Sequence, residues 1–341
     1  MPSLAEETPA VLTRHLATIE IALQEAIGAA EFPLTHAARY VMGWEDERGT
    51  ATQNQGKRIR PALCLFAADQ FGGAPEVAMP GAIAIELVHN FSLVHDEVQD
   101  RDEERHHRPT AWRIFGDGQA INLGDHLYTT AVAALTAPGG NVERRMAALR
   151  VLNTAIARMI QGQWEDLAFE SRGAVAVADY LRMASGKTGA LLGAPLEIGA
   201  LLAGAPPEEA AILGQWGNEV GLAFQSWDDY LGIWGDPSAT GKSNNNDIAR
   251  RKKTLPIVHG LAHPAVSGMI SAAYDREGEL TPAEIEAITS ALREAGADRA
   301  CRDAAAEHAG AADALIEPLV LRADVRESFR AVAEYFYQRD V

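Results

Sequence analysis

Cysteine is almost missing from this chain: Cys64 and Cys301 are the only two among 341 residues. Two thiols cannot build a disulfide framework, and they fit a reducing, cytoplasmic compartment. Positive charge is also scarce. Lysine and arginine total 30 against 47 aspartates and glutamates, a net charge of −17. A field of that sign argues against nonspecific nucleic-acid binding, although it leaves room for local basic pockets. The opening residues, MPSLAEETPA, have neither a basic start nor an apolar core, so no signal peptide is expected. No transmembrane segment is expected either. The most apolar stretch, Gly189 to Ala205, is interrupted by Pro195 and Glu197, and a span needs ~20 apolar residues. It is expected to form a buried pair of helices. Alternating apolar and polar residues never run long enough to propose a sheet.

What is present is helical. Hydrophobic residues make up 47% and charged residues 23%, an ordinary globular balance. Leu12, Leu16, Ile19, Leu23 and Ile27 recur at helical spacing, which predicts one helix from Pro9 to Ala30 capped by Thr8. Thr281-Pro282-Ala283-Glu284 is a capping box with Leu280 and Ile285 at staple spacing, and that helix should stop at Gly296. Gly43–Gly56 and Ala137–Asn141 read as connections. Trp234–Pro256 is a long polar segment, a kind that is often functional. Nothing marks a boundary, so the expectation is one all-α domain over 1–341.

Two acidic clusters end apolar helical stretches. In the first, Asp96 and Asp100 stand one helical turn apart and share a face. Such carboxylates repel unless a cation lies between them, and Mg²⁺ commonly bridges carboxylates to substrate phosphates. The second is Asp228-Asp229, with Asp236, Lys242 and Asp247 further on. Each cluster alone could be a solvated helix end, but inward carboxylates on two helices are a known way to build a metal site. Lys57, Arg58 and Arg60 crowd four positions before a helix, Lys187-Thr188 follows a glycine, and Arg250-Arg251-Lys252-Lys253 closes the long polar segment. Arginine forks and lysine point charges in so acidic a chain fit anion sites, with surface solubility as the other reading. The combination points to a diphosphate chelated by Mg²⁺, a second diphosphate on Lys and Arg, and an apolar interior. That arrangement suits ionisation of an allylic diphosphate, because cations stabilise the leaving group and a dry pocket protects a carbocation.

These motifs together resemble the trans-type isoprenyl diphosphate synthases, the polyprenyl synthetase family. GKRIRP at 56–61, HNFSLVHDEVQD at 89–100, RHHRPT at 105–110, GKT at 186–188, FQSWDDYLG at 224–232, GK at 241–242 and KKTLP at 252–256 occur in the family's order. The resemblance implies an isoprenoid synthase-type bundle of long helices around a deep central cavity, usually homodimeric. It implies Mg²⁺-dependent head-to-tail condensation of isopentenyl diphosphate with an allylic diphosphate. By position it implies Mg²⁺, three ions with substrate bound, on Asp96, Asp100 and Asp228, with Asp229 supporting. Arg105, Lys187 and Lys242 would contact the allylic diphosphate, and Lys57, Arg60 and His89 the isopentenyl diphosphate. Thr188 and Gln225 would lie beside the reacting carbons, and the departing pyrophosphate would accept the proton.

Three positions depart from the family pattern. Glu97 replaces an aspartate, Gly232 replaces the last aspartate of the second motif, and His106 stands where a second arginine usually meets isopentenyl diphosphate. A histidine is largely neutral at pH 7 and lacks the arginine fork. Phe91, five residues before Asp96, would sit under the growing chain with small Ser92 beside it. The resemblance then implies a short product, C20 or C15, with C20 favoured. The departures leave two other readings: a terpene-synthase-like ionisation without condensation, or a weakly active partner subunit.

Overall fold

The computed structural model describes residues 8–28, 32–235, 246–319, 321 and 323–337. Their regular structure is almost wholly helical, as expected, and divides into two compact units.

One unit comprises Thr8–Ile156 and Ala194–Gly214. It begins with α1 (Ala10–Thr13), α2 (Leu16–Ile27), α3 (Pro33–Val41), α4 (Ile59–Gln70) and α5 (Pro75–Asp100). The single helix expected over 9–30 is therefore two. The backbone turns at Arg14 and His15, whose side chains both reach Asp69 at the end of α4, at 2.9 and 3.5 Å. Thr8 caps nothing; Pro9 precedes the first turn. The periodicity itself holds, since Leu12, Ile19 and Leu23 are fully buried.

Helix α5 is the axis of this unit, packed on α4 and on α7 (Asp117–Thr136). By length and composition it could cross a membrane, but 72% of its apolar window is buried, and it serves as a core helix. A short antiparallel hairpin, β1 (Glu104–Arg105) and β2 (Arg108–Pro109), follows it, too brief to leave an alternating pattern in the sequence. The hairpin leads into α6 (Ala111–Phe115). Its turn is His106-His107, with φ of 50° and 61°. Both residues adopt the left-handed conformation that a tight hairpin demands.

The other unit comprises Ala157–Gly193 and Gln215–Val341. The boundary between the units falls inside three continuous helices: α8 (Val142–Glu170), α10 (Ala190–Ala203) and α11 (Pro207–Trp234). Helix α9 (Val177–Ala184) runs into α10 through a π turn, Ser185–Gly189. The apolar stretch 189–205 is thus one helix after a wide turn, not a pair. Pro195 is accommodated inside it.

Then come α12 (Asn246–Ala249), α13 (Leu255–Ala262), α14 (Ser267–Tyr274), α15 (Pro282–Glu294), α16 (Ala297–Ile316) and α17 (Ala323–Tyr337). Ile233, Ile248, Ile257, Ile270, Ile288 and Leu292 form one apolar core there, and Phe169, Tyr180, Leu222, Leu255 and Val258 another. The capping box at Thr281 and Glu284 forms in both directions, and α15 ends before Gly296 at φ 77°.

Candidate active site

The last turns of α5 carry the first cluster. His89, Asp96 and Asp100 are spaced by seven and four residues, so the helical period brings them to one face. Asp96 and Asp100 are half-buried. Glu97 points elsewhere. It is 5% exposed, receives Arg105 Nε at 2.6 Å, and accepts the Ala111 backbone N–H. Burial raises its pKa, with Arg105 opposing. The extra methylene of glutamate thus lets one carboxylate tie Arg105 and the start of α6 back to α5. Arg105 itself is one-third exposed on the hairpin. His106 is exposed at the hairpin tip. Its neighbour Arg108 donates to the carbonyls of Tyr40 and Glu45 and lies over the Tyr40 ring at 4.2 Å.

At the start of α4 three cations divide their work. Lys57 is exposed. Arg58, buried at φ 50°, is taken by the interior: it donates to Glu20 at 2.6 Å, Glu86 at 2.9 Å and the Met42 carbonyl at 2.8 Å. Arg60 meets His89 Nε2 at 3.1 Å, while its own Nε is buried without a partner among the described residues. Burial, then Arg60, Arg105 and Arg58, hold His89 well below the ordinary histidine range. A neutral ring must therefore accept from Arg60, which aims a guanidinium with an unmet donor. An orphaned buried donor of that kind fits an anion with several acceptor oxygens.

Phe91 is 8% exposed, its ring 4.9 Å from His95 and 5.9 Å from Tyr128. Ser92 gives its hydroxyl to the His89 carbonyl at 2.7 Å.

In the other unit Lys187 and Thr188 lie in the π turn. The turn needs close backbone approach: a Cβ on Gly162 would stand 2.4 Å from the Lys187 nitrogen, and one on Gly186 2.7 Å from the Arg158 carbonyl oxygen. Lys187 pairs with Asp166 at 2.5 Å. Thr188 donates to Gln225 Oε1 at 2.8 Å, and Gln225 Nε2 donates to Asp229 Oδ1 at 2.9 Å. Asp229 Oδ2 accepts from Tyr180 Oη and, at 2.7 Å, from the Leu255 backbone N–H. Burial pushes the Asp229 carboxyl up to about 7, and all three donors oppose that shift. Asp228, one residue earlier, is half-buried. At Gly232 a Cβ would come within 3.2 Å of Asp247 Oδ2, so another carboxylate lies beside the position that lost one. Lys242 and Asp236 lie outside the described residues.

Glu20, Glu86, Asp166, Tyr180 and Tyr128 are partners that sequence reasoning did not single out. Single acidic or tyrosine residues on helices carry no local signal; only the fold shows whom they meet.

Residues 48–292 match the family model described as polyprenyl synthetase. The chain belongs to this family. It is therefore a prenyltransferase of all-helical type. Over 264 residues it is 47% identical to a (2E,6E)-farnesyl diphosphate synthase of Mycobacterium tuberculosis, covering 76% of this chain and 73% of that one. A geranylgeranyl diphosphate synthase of the same organism is 41% identical over 320 residues, 93% of this synthetase and 91% of the relative. Among solved structures, a polyprenyl synthetase from Streptomyces coelicolor A3(2) superposes with a TM-score of 0.89 at 37% identity, covering 97% and 99% of the two chains.

Proposed function

We propose that this polyprenyl synthetase condenses isopentenyl diphosphate head-to-tail with an allylic diphosphate, giving a short all-trans prenyl diphosphate, C20 or C15 with C20 favoured. The observation that carries this reading is Arg60. Its buried Nε, without a partner among the described residues, stands at the start of α4 beside a neutral His89 of the helix that bears Asp96 and Asp100, and offers a second anion site there. An enzyme that only ionised one substrate would have no use for it.

The donor chemistry fits a divalent metal. Asp96, Asp100 and Asp228 are oxygen donors on helices, the ligands that Mg²⁺ favours. When bound, Mg²⁺ would neutralise the charge that develops on the departing diphosphate. Arg105, Lys187 and Lys242 hold the allylic diphosphate, and Lys57, Arg60 and His89 hold isopentenyl diphosphate. His106 and its neighbours form the hairpin that borders this second site. Thr188 and Gln225 turn acceptor oxygens towards the reacting carbons, and Asp229, beside Asp228, is held in the interior by Tyr180, Gln225 and the Leu255 N–H. Phe91, braced by His95 and Tyr128, closes the chain-length pocket with Ser92 beside it.

The whole chain works as one catalytic domain and as a homodimer in the cytoplasm. Support for the dimer comes from α8. Val142, Met146, Ile160 and Trp164, 71%, 42%, 52% and 77% exposed, fall on one face of that helix. Support for the compartment comes from two buried free thiols.

A product assay tests the function. Purified protein receives Mg²⁺, isopentenyl diphosphate and each of the C5, C10 and C15 allylic diphosphates; products are dephosphorylated and sized by chromatography. A C20 or C15 prenyl alcohol, lost with chelator and with Asp96→Ala, is the expected result. Cyclic or hydrolysed products formed without use of isopentenyl diphosphate would overturn it, as would no turnover at all.

A further inference from the structure

Asp229 sits beside a proposed metal ligand, yet both its oxygens are committed inside its own unit. It is 3% exposed. Oδ2 takes the Tyr180 hydroxyl and the Leu255 N–H, and Oδ1 takes Gln225 Nε2. Consecutive helical residues point about 100° apart, so Asp228 and Asp229 face different surroundings.

We infer that Asp229 is a positioning residue that fixes which end of the Gln225 amide faces Thr188, and so the sign of the dipole presented to the reacting carbons. The inference rests on the placing of Thr188 and Gln225 beside those carbons. Gln225 spends its NH₂ on Asp229 Oδ1, which turns its carbonyl oxygen to Thr188. The Thr188 hydroxyl hydrogen is used in that bond, leaving its oxygen only acceptor lone pairs to offer. The chain Asp229–Gln225–Thr188 thus ends in acceptors, the negative ends of two dipoles. Oriented dipoles of this sign stabilise a carbocation without reorganising as it forms.

The geometry makes the Asp229→Asn variant diagnostic. Tyr180 and Leu255 both donate to one oxygen, so they hold the asparagine carbonyl there and set its NH₂ against Gln225 Nε2. Two donors cannot face each other. The Gln225 amide turns over and presents NH₂ to Thr188. We expect kcat to fall by about a hundredfold, the scale seen when one preorganised dipole is lost, with KM for both diphosphates unchanged. Gln225→Glu alone sets two carboxylates together and also loses activity. Combining Gln225→Glu with Asp229→Asn restores the pattern: the asparagine NH₂ donates to one glutamate oxygen, and the other accepts from Thr188. The double variant should recover kcat by at least about tenfold over Gln225→Glu.

Mg²⁺ calorimetry, with an unreactive allylic thiolodiphosphate bound, separates this role from metal binding. Asp229→Asn should keep the wild-type Mg²⁺ affinity and Asp228→Asn should lose it. Equal loss of Mg²⁺ affinity in both variants would overturn the inference, and so would failure of the double variant to recover. Gln225→Ala is measured alongside. If it keeps the wild-type kcat, the placing of Gln225 fails and takes the inference with it. If Gln225→Ala loses activity while Asp229→Asn does not, the inference alone fails. Should Asp229→Asn fold poorly by itself, the comparison of Gln225→Glu with the double variant still decides.

Discussion

Glu97 shows how one methylene changes a residue's work. Its buried carboxylate holds Arg105 at 2.6 Å and the start of α6. Glu97→Gln keeps the shape but removes the charge. A hydrogen bond to a charged group contributes about 1.5–3 kcal/mol, so KM for the allylic diphosphate should rise about tenfold, measured by steady-state kinetics. His89 titrates differently in the two states of the chain. Its folded pKa is depressed, so below about pH 6.5 the unfolded chain takes up a proton that the folded one refuses. Its contribution to stability is therefore present above that pH and lost as pH falls. Urea denaturation from pH 7 to 5 should show a smaller loss in His89→Asn than in the parent. Phe91→Ala removes the ring between His95 and Tyr128. Chromatography should then show products longer by one or more C5 units.

Helices meet as backbones where glycine allows it. A Cβ at Gly199 would lie 1.9 Å from the Cys64 carbonyl oxygen, which brings α10 against α4. Gly199→Ala forces the two helices apart. Overpacking of this kind costs about 1–3 kcal/mol, so the thermal midpoint should fall by several degrees in a calorimetric scan. No pattern in the sequence marks Gly199 among thirty glycines. By contrast the capping box at Thr281 was legible, because all its atoms belong to four consecutive residues. The turn at Arg14–His15 was not, since it depends on Asp69, far along the chain. The π turn at Lys187 was equally hidden. It lies against the backbone of Gly162, and glycine leaves no periodic trace. The site divides in the same way. Asp96 and Asp100 could be paired by spacing alone, whereas the burial of Asp229 and its three donors come from α9, α11 and α13.

At the scale of the whole molecule the acidic surface and the apolar stripe on α8 pull in opposite directions. A net charge of −17 keeps copies apart. Trp164, 77% exposed, and its neighbours on that face suit the second copy proposed above. Trp164→Glu places charge in the stripe, and sedimentation velocity should show the dimer giving way to monomer. The two thiols bear on how such a dimer could be measured. Cys64 and Cys301 are both 0% exposed, and burial pushes both thiols well above the ordinary cysteine range. Reagents that attack thiolates will pass them by while the protein is folded. A single cysteine introduced at an exposed position away from that stripe would then carry a spin label or fluorophore on an otherwise native chain. Distances between copies could be read without first stripping the protein of its own cysteines.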